Sequence, residues 1–242
     1  MNNCKNCNES INGNYCSNCG LPAKLKRIDG KYIIQEMVDF LFANKGMIYT
    51  IKKILISPGK SVRQFIAEDR YRFVKPITFL FITSLVYTLV CYLFNIGAED
   101  FYLQPLPEEV EFPTLTFLMN WISNYSGYSS IISGFLVAFL VKIFFRKSGY
   151  NIFEIFILLC FISGIMSLYS SVIVMIQGIT HLKLIHISAF ISMIYYAWAI
   201  GQFFDRKKIA SYIKAFVSCI LGYLMFGFLV AFVAIFIDLI IR

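Results

Sequence analysis

Long, nearly uncharged apolar stretches dominate the chain after residue 75, and they set the fold class. Crossing the ~30 Å hydrocarbon core takes about 20 mostly apolar residues in a helix, because lipid offers no partner for an unpaired backbone group. The pattern predicts an all-α membrane protein whose residues 76–242 form a polytopic bundle of about five transmembrane helices. Five stretches qualify: residues 76–96, 128–145, 153–177, 184–204 and 214–238. The second is short and begins with Ser and Gly residues, so a four-helix alternative stays open.

Before the first apolar stretch, hydrophobic positions recur at helical spacing with polar residues between them. The repeat is clearest at Ile33, Ile34, Met37, Val38, Leu41 and Phe42. Pro58-Gly59 interrupts a continuation of this pattern, and a further short helix is expected to begin after it. Residues 23–75 are therefore predicted to form a basic linker of cytoplasmic amphipathic helices, which lie on a membrane surface or cap a bundle.

Composition excludes a disordered chain and an ordinary soluble domain, since 58% of the residues are hydrophobic and only 15% are charged. The formal net charge is +8, and its distribution is more informative than its sum. Of the 22 Lys and Arg residues, all but Lys183 and Arg242 lie before residue 76 or near alternate connections between the apolar stretches. Because basic residues are retained on the cytoplasmic side, this bias predicts a cytoplasmic N-terminus and an external C-terminus.

Four cysteines near the N-terminus form two Cys-x2-Cys pairs, Cys4 with Cys7 and Cys16 with Cys19. Each pair presents two thiolates from one tight turn, and four thiolates satisfy a tetrahedral zinc ion. Residues 1–22 are accordingly predicted to be a zinc ribbon with one structural Zn²⁺, because a closed shell leaves no position for a catalytic water. Two disulfides are the alternative, but they need an oxidising compartment, and the charge bias places this end in the cytoplasm.

A short basic stretch follows the predicted ribbon, at Lys24, Lys26, Arg27 and Lys31. Such a cluster can contact the phosphates of a nucleic acid. Next to a membrane it favours anionic lipid headgroups instead. The lipid bilayer is therefore the expected contact, and nucleic acid is not expected as a partner.

The residues that lead into the first apolar stretch resemble an uncharacterised bacterial membrane family, known only as a domain of unknown function. They are Lys45-Gly46, Thr50, Ser57-Pro58-Gly59, Val62-Arg63, Phe65-Ile66 and Arg70-Tyr71-Arg72-Phe73-Val74-Lys75-Pro76. Members combine an N-terminal double-CxxC zinc ribbon with a Pro-Gly…Arg…Tyr…Pro stretch, and Phe73 stands where that pattern has Tyr. The resemblance spans residues 4–95 and implies a bacterial inner-membrane location without any activity. A weaker, fold-level likeness is to five-span proteins of the Yip1 type.

Polar residues within the apolar stretches offer no paired catalytic set. Asn151 and Glu154 have the spacing of a helix cap, and Asp238 lies four residues before Arg242, which suits an interfacial pair. Small residues recur at four-residue spacing, namely Ser130, Gly134 and Ala138, then Ser163, Ser167 and Ser171, then Ser188 and Ser192. These stripes favour close helix packing, with a hydroxyl-lined solute path as the alternative.

These features predict a membrane protein that is not an enzyme. Its cytoplasmic zinc ribbon and linker are expected to bind a protein partner or to organise an assembly, with homo-oligomer formation left open. The alternative from another class is a small-solute transporter or channel.

Overall fold

The structure is a computed structural model that describes residues 2–3, 10–11, 13, 17–18, 46–67, 72–97 and 113–241. The chain divides into two compact units, Met1–Asn44 and Lys45–Arg242. In the first unit, β1 (Asn2–Asn3) pairs antiparallel with β2 (Ser10–Ile11). The four predicted zinc ligands and the predicted helix over residues 33–42 lie outside the described residues.

Eight α-helices and one 3-10 turn make up the described part of the second unit. In chain order they are α1 (Gly46–Ile56), α2 (Pro58–Ala67), α3 (Pro76–Leu93), α4 (Pro113–Asn124), α5 (Ser126–Phe144), the turn Arg146–Ser148, α6 (Ile152–Thr180), α7 (Ile185–Phe204) and α8 (Ile209–Ile241). Five of them, α3 and α5 to α8, are long and apolar enough to cross a membrane. This confirms the predicted helical class with five candidate spans, and it is consistent with a multi-pass membrane protein.

The two longest helices extend beyond the predicted apolar stretches. Helix α6 has 29 residues and α8 has 33, which at 1.5 Å per residue correspond to about 44 and 50 Å. Both exceed the ~30 Å hydrocarbon core. Helix α8 begins at Ile209 and therefore carries Lys214 within its second turn.

Helix α6 is the centre of the bundle, since it contacts α3, α5 and α7 and also α1 and α2. In the most apolar 18-residue stretch of α6, 61% of the residues are buried within the protein, whereas in that of α8 only 17% are buried. Leu158, Phe161 and Ile162 of α6 are fully buried, whereas Phe228 and Phe232 of α8 are exposed. An exposed apolar face of this kind suits contact with lipid.

Two glycines allow close approach where helices cross. A Cβ added at Gly164 would stand 2.5 Å from the Phe79 ring of α3, and one at Gly222 would stand 2.5 Å from Val137 of α5. By contrast, a Cβ at Gly134 would meet only a Phe ring atom at 3.7 Å. Close approach without a side chain strengthens helix association in lipid, so these two glycines contribute contacts that the small-residue stripes do not include.

Local signals fix several helix ends as predicted. The Asn151 side chain accepts the Glu154 N–H at 2.8 Å, and Glu154 Oε2 accepts the Asn151 N–H at 2.8 Å, which forms a complete capping box at the start of α6. Pro76 occupies the first turn of α3, where its missing N–H has no cost. Gln177 adds a cap that the sequence analysis did not include, because its Oε1 accepts the Leu184 and Ile185 N–H groups at the start of α7.

Candidate functional site: a docked helical cap

Helices α1 and α2 form a two-helix unit, called the cap below, that packs against α6 and α7 at one end of the bundle. The main contact is the C-terminus of α7, where the last carbonyl groups have no partner within the helix. Arg63 Nη1 donates to the Gln202 carbonyl at 2.9 Å and also to the Phe203 carbonyl. A cation at this position also complements the negative end of the helix dipole. The cap therefore satisfies the end of α7.

The same contact also provides a hydrogen-bond acceptor for a free N–H group in the first turn of α2. Gly59 lies in the first turn of α2, and its N–H donates to Gln202 Oε1 at 2.9 Å. The two backbones approach so closely that a Cβ at Gly59 would overlap the backbone atoms of Gln202 and Phe203. Because both partners are buried, leaving this hydrogen bond unmade would cost about 1–3 kcal/mol. Glycine is thus required at this position by packing.

A second set of contacts holds the other side of the cap. The Thr50 hydroxyl accepts the Val74 N–H at 3.1 Å, which joins α1 to the residues that enter α3. A Cβ at Gly46 would stand 2.6 Å from the carbonyl oxygen of Arg72. From α7, the Tyr195 hydroxyl donates to the Ile54 carbonyl at 2.9 Å. The cap is therefore tied both to α7 and to the start of the first apolar helix.

Aromatic side chains fill the space between the cap and α6. Phe73 meets Tyr49 edge-on with ring centroids 5.2 Å apart, and meets Phe65 in the same way at 5.9 Å. Phe65 in turn packs edge-on against Phe161 of α6 at 5.3 Å. Edge-on pairs of this kind contribute beyond their buried area. Phe73 is buried, and a Tyr there would need a hydrogen-bond partner for its hydroxyl.

A hydroxyl-lined cavity of about 270 Å³ lies among α5, α6, α7 and α8. Ser163 Oγ and Tyr196 Oη are 2.7 Å apart, and the Tyr196 side chain also bonds to Tyr223. Ser133 lines the cavity as well, and its hydroxyl donates to the Ser129 carbonyl at 2.8 Å. Serines that bond back to their own helix need no solute as a partner. Of the three serines spaced four residues apart on α6, Ser163 lines the cavity, whereas Ser167 and Ser171 donate to carbonyls of their own helix.

Two further polar residues of the apolar helices, Asp238 and Lys142, take part in hydrogen bonds. The Thr114 hydroxyl of α4 donates to Asp238 of α8, while the predicted partner of this carboxylate, Arg242, lies outside the described residues. Lys142 donates to the Tyr150 carbonyl at the cap end of the bundle.

Metal-ligating side chains do not cluster in the ranges that the structure describes. In those ranges no three His, Cys, Asp or Glu residues come together. Cys91, Cys160 and Cys219 lie on three different helices, α3, α6 and α8. The zinc site at Cys4, Cys7, Cys16 and Cys19 stays a prediction from sequence.

One known family matches the part of the chain that contains the cap. Residues 44–88 match a family described as "Protein of unknown function (DUF3667)". This range covers the cap, the connection to α3 and the first part of α3, which confirms the resemblance to an uncharacterised family over these residues. The predicted ribbon lies outside the matched range, and the likeness to Yip1-type proteins stays a prediction. Searches of curated proteins and of solved structures found no match.

Sequence reasoning did not single out the α7 residues that receive the cap. Gln202 and Tyr195 lie in an apolar stretch, and the only signal was an amide close to the end of that stretch. Pro58-Gly59 was expected to precede a helix, whereas α2 begins at Pro58 itself. Proline suits the first helical position because its fixed φ and missing N–H have no cost there.

Proposed function

We propose that this chain is a partner-binding protein of the bacterial inner membrane, in which a helical membrane domain carries a cytoplasmic zinc ribbon. The docked cap is the observation that supports this reading. Gly59 and Arg63 fix the cap to the end of α7, so α1, which begins at Gly46, is held on the bundle. A binding module that acts close to the membrane surface benefits from such an anchor, since anchoring raises its effective concentration near membrane-bound partners.

The ribbon itself follows from the spacing of Cys4, Cys7, Cys16 and Cys19. We expect one Zn²⁺ per chain, bound by four thiolates and needed to fold residues 1–22. Insertion of the apolar helices does not depend on this ion. Loss of zinc should therefore abolish binding of the partner while the protein stays in the membrane at its normal level.

The test compares wild-type protein with the double variant Cys4→Ser/Cys7→Ser and with Cys91→Ser, a control that removes a thiol from α3. Elemental analysis of protein purified under reducing conditions should give one zinc for the wild type and the control and none for the double variant. Crosslinking in native membranes should then recover the same partner from the wild type and from Cys91→Ser, but not from the double variant. Wild-type protein without stoichiometric zinc would contradict the metal site, and a double variant that keeps its partner would contradict the role.

The hydroxyl-lined cavity supports a second candidate, a small-solute transporter or channel. Transport requires water to reach the cavity, so Ser163→Cys should react with a membrane-impermeant thiol reagent in intact vesicles. Ile162→Cys, fully buried on the same helix and absent from the cavity lining, is the matched control. Labelling of Ser163→Cys alone would favour transport, whereas equal protection of both positions would favour the binding role.

A further inference from the structure

A cleft lined by basic residues lies at the cap end of the bundle, between the end of α5 with its 3-10 turn and the connection from α7 to α8. Its volume is about 460 Å³. Besides the carboxylate of Asp205, its polar lining consists of Arg146, Lys147, Ser148, Lys208, Ser211 and Lys214. On the apolar side the rings of Phe145 and Phe204 stack at 4.0 Å and nearly parallel, which joins the two walls. This space is called the basic cleft below.

Positive charge in the basic cleft exceeds the negative charge available to it. The one carboxylate in the lining is Asp205, which already accepts the Lys207 N–H at 3.0 Å and pairs with Lys208 Nζ at 3.1 Å. These contacts lower the pKa of Asp205 below its usual value, the hydrogen bond from Lys207 having the larger effect. Arg146 and Lys214 line the same space without an ion pair among the described residues. Like charges that line one space repel one another, and a bound anion would offset that repulsion.

Uncharged donors add to these cations. Ser148 Oγ is shielded from solvent and has no hydrogen-bond partner in the part of the chain that the structure describes. Ala210 and Ser211 place the first turn of α8 against the basic cleft. The N-terminus of a 33-residue helix favours an anion through its dipole and its first N–H groups, although the Ser211 N–H already donates to the Lys208 carbonyl at 3.0 Å. Cations, a hydroxyl and a helix N-terminus together form the donor set that phosphate oxygens accept.

The position of the basic cleft along the helices indicates the source of such a phosphate. Lys214 lines the cleft from the second turn of α8, and its neighbours Ile213 and Phe216 are exposed apolar residues. The cleft therefore lies at the boundary between the apolar helices and their polar connections, the kind of boundary at which basic residues meet lipid headgroups.

We propose that the basic cleft is a binding site for a phosphate group, held by Arg146, Lys147 and Lys214 with Ser148 and the N-terminus of α8. An anionic phospholipid and a soluble phosphate both supply this chemistry. The lining of the cleft shares no residue with the contact between the cap and α7, so the site does not depend on the partner-binding proposal.

The test measures ligand binding to the purified full-length protein in detergent by native mass spectrometry and thermal stability. The probes are phosphatidylglycerol, a diacylglycerol with the same chains, and inorganic phosphate at constant ionic strength. The variant Arg146→Gln/Lys214→Gln removes two cations from the cleft. Its matched control, Arg206→Gln/Lys207→Gln, removes the same amount of charge. These two exposed side chains lie in the connection from α7 to α8 but do not line the cleft.

Phosphatidylglycerol should bind wild type and the control pair within about twofold, and the cleft pair about tenfold more weakly, because each basic residue contributes appreciably at an anionic surface. Phosphate that stabilises the wild type but not the cleft pair, with no preference for phosphatidylglycerol over diacylglycerol, would assign the site to a soluble phosphate. Three results would overturn the proposal: no binding of either phosphate probe, equal loss in both pairs, or a cleft pair that binds like wild type.

A second matched comparison guards against a variant that fails to fold. Ala210→Glu adds a carboxylate to the cleft lining in the first turn of α8, where a negative charge stabilises the helix. Ile209→Glu adds the same charge in the same turn at a residue outside the lining. Ala210→Glu should keep its melting temperature and lose phosphate binding, whereas Ile209→Glu should keep both. Retained binding in Ala210→Glu would contradict the site.

Discussion

Replacing Gly59 by alanine tests the docking of the cap most directly. The new Cβ overlaps the backbone of Gln202 and Phe203 in the last turn of α7. Backbone atoms cannot rotate away as the end of a long side chain does, so α2 must move outward as a body. This movement breaks the hydrogen bond from the Gly59 N–H to Gln202 Oε1 and weakens those from Arg63.

The size of the effect follows from three terms. Alanine is favoured over glycine within a helix by about 1 kcal/mol, which acts in favour of the variant. Against it, an extra methyl group in a packed contact costs about 1–3 kcal/mol, and the lost buried hydrogen bond costs about 1–3 kcal/mol. We expect the free energy that holds the cap on α7 to fall by about 3 kcal/mol, which increases the population of the undocked state roughly a hundredfold.

Hydrogen exchange of the protein in detergent, followed by peptide mapping, separates local from global effects. In Gly59→Ala the amides of α1 and α2 should exchange faster, while those of α6 should be unchanged. Gly227→Ala is the matched control, because a Cβ at Gly227 meets no atom within 4 Å; its cap should exchange at the wild-type rate. Unchanged exchange of the cap in Gly59→Ala would refute the close-packing argument.

Three further changes test the rest of the fold. Gly164→Ala should lower the melting temperature in detergent more than Gly134→Ala, because only the first places a Cβ against a ring of α3 at 2.5 Å; equal melting would contradict the crossing. Asn151→Ala should destabilise α6 by about 1 kcal/mol through loss of its cap, and an unchanged melting curve would count against the capping box. Reporter fusions near Lys147 should be cytoplasmic and those at Arg242 external, and a cytoplasmic reporter at Arg242 would exclude five spans.

Hydropathy along the chain was sufficient to predict the five apolar helices, because each satisfies its backbone internally and must be long enough to cross lipid. It was less informative about where they end. Helix α8 begins five residues before the predicted apolar stretch, at Ile209, since a single charged residue such as Lys214 near a helix end does not interrupt helical hydrogen bonding. The Asn151 and Glu154 spacing predicted the start of α6 correctly because a capping box depends only on residues within one turn.

The cap shows what local patterns leave out. Pro58-Gly59 and Arg63 were noted in the sequence as part of a family-like motif. Gln202, which accepts the hydrogen bond from the Gly59 N–H, lies 143 positions after Gly59. A glycine followed by an arginine predicts a helix start with a cation nearby. It does not indicate that the glycine N–H meets the Gln202 side chain while the arginine meets the free carbonyls at the end of the same helix. That information depends on how the helices pack, which hydropathy and spacing do not contain.

The basic residues illustrate the same limit from the opposite direction. In the sequence, the number of basic residues in each connection predicts only the side of the membrane on which that connection lies. In the fold, Arg146 and Lys147 of the 3-10 turn after α5 line the same cleft as Lys208 and Lys214. Arg206 and Lys207, equally basic and closer in sequence to Lys208, do not line it. Orientation in the membrane would be satisfied by any arrangement of these charges, so a count of basic residues does not predict which of them line one cleft.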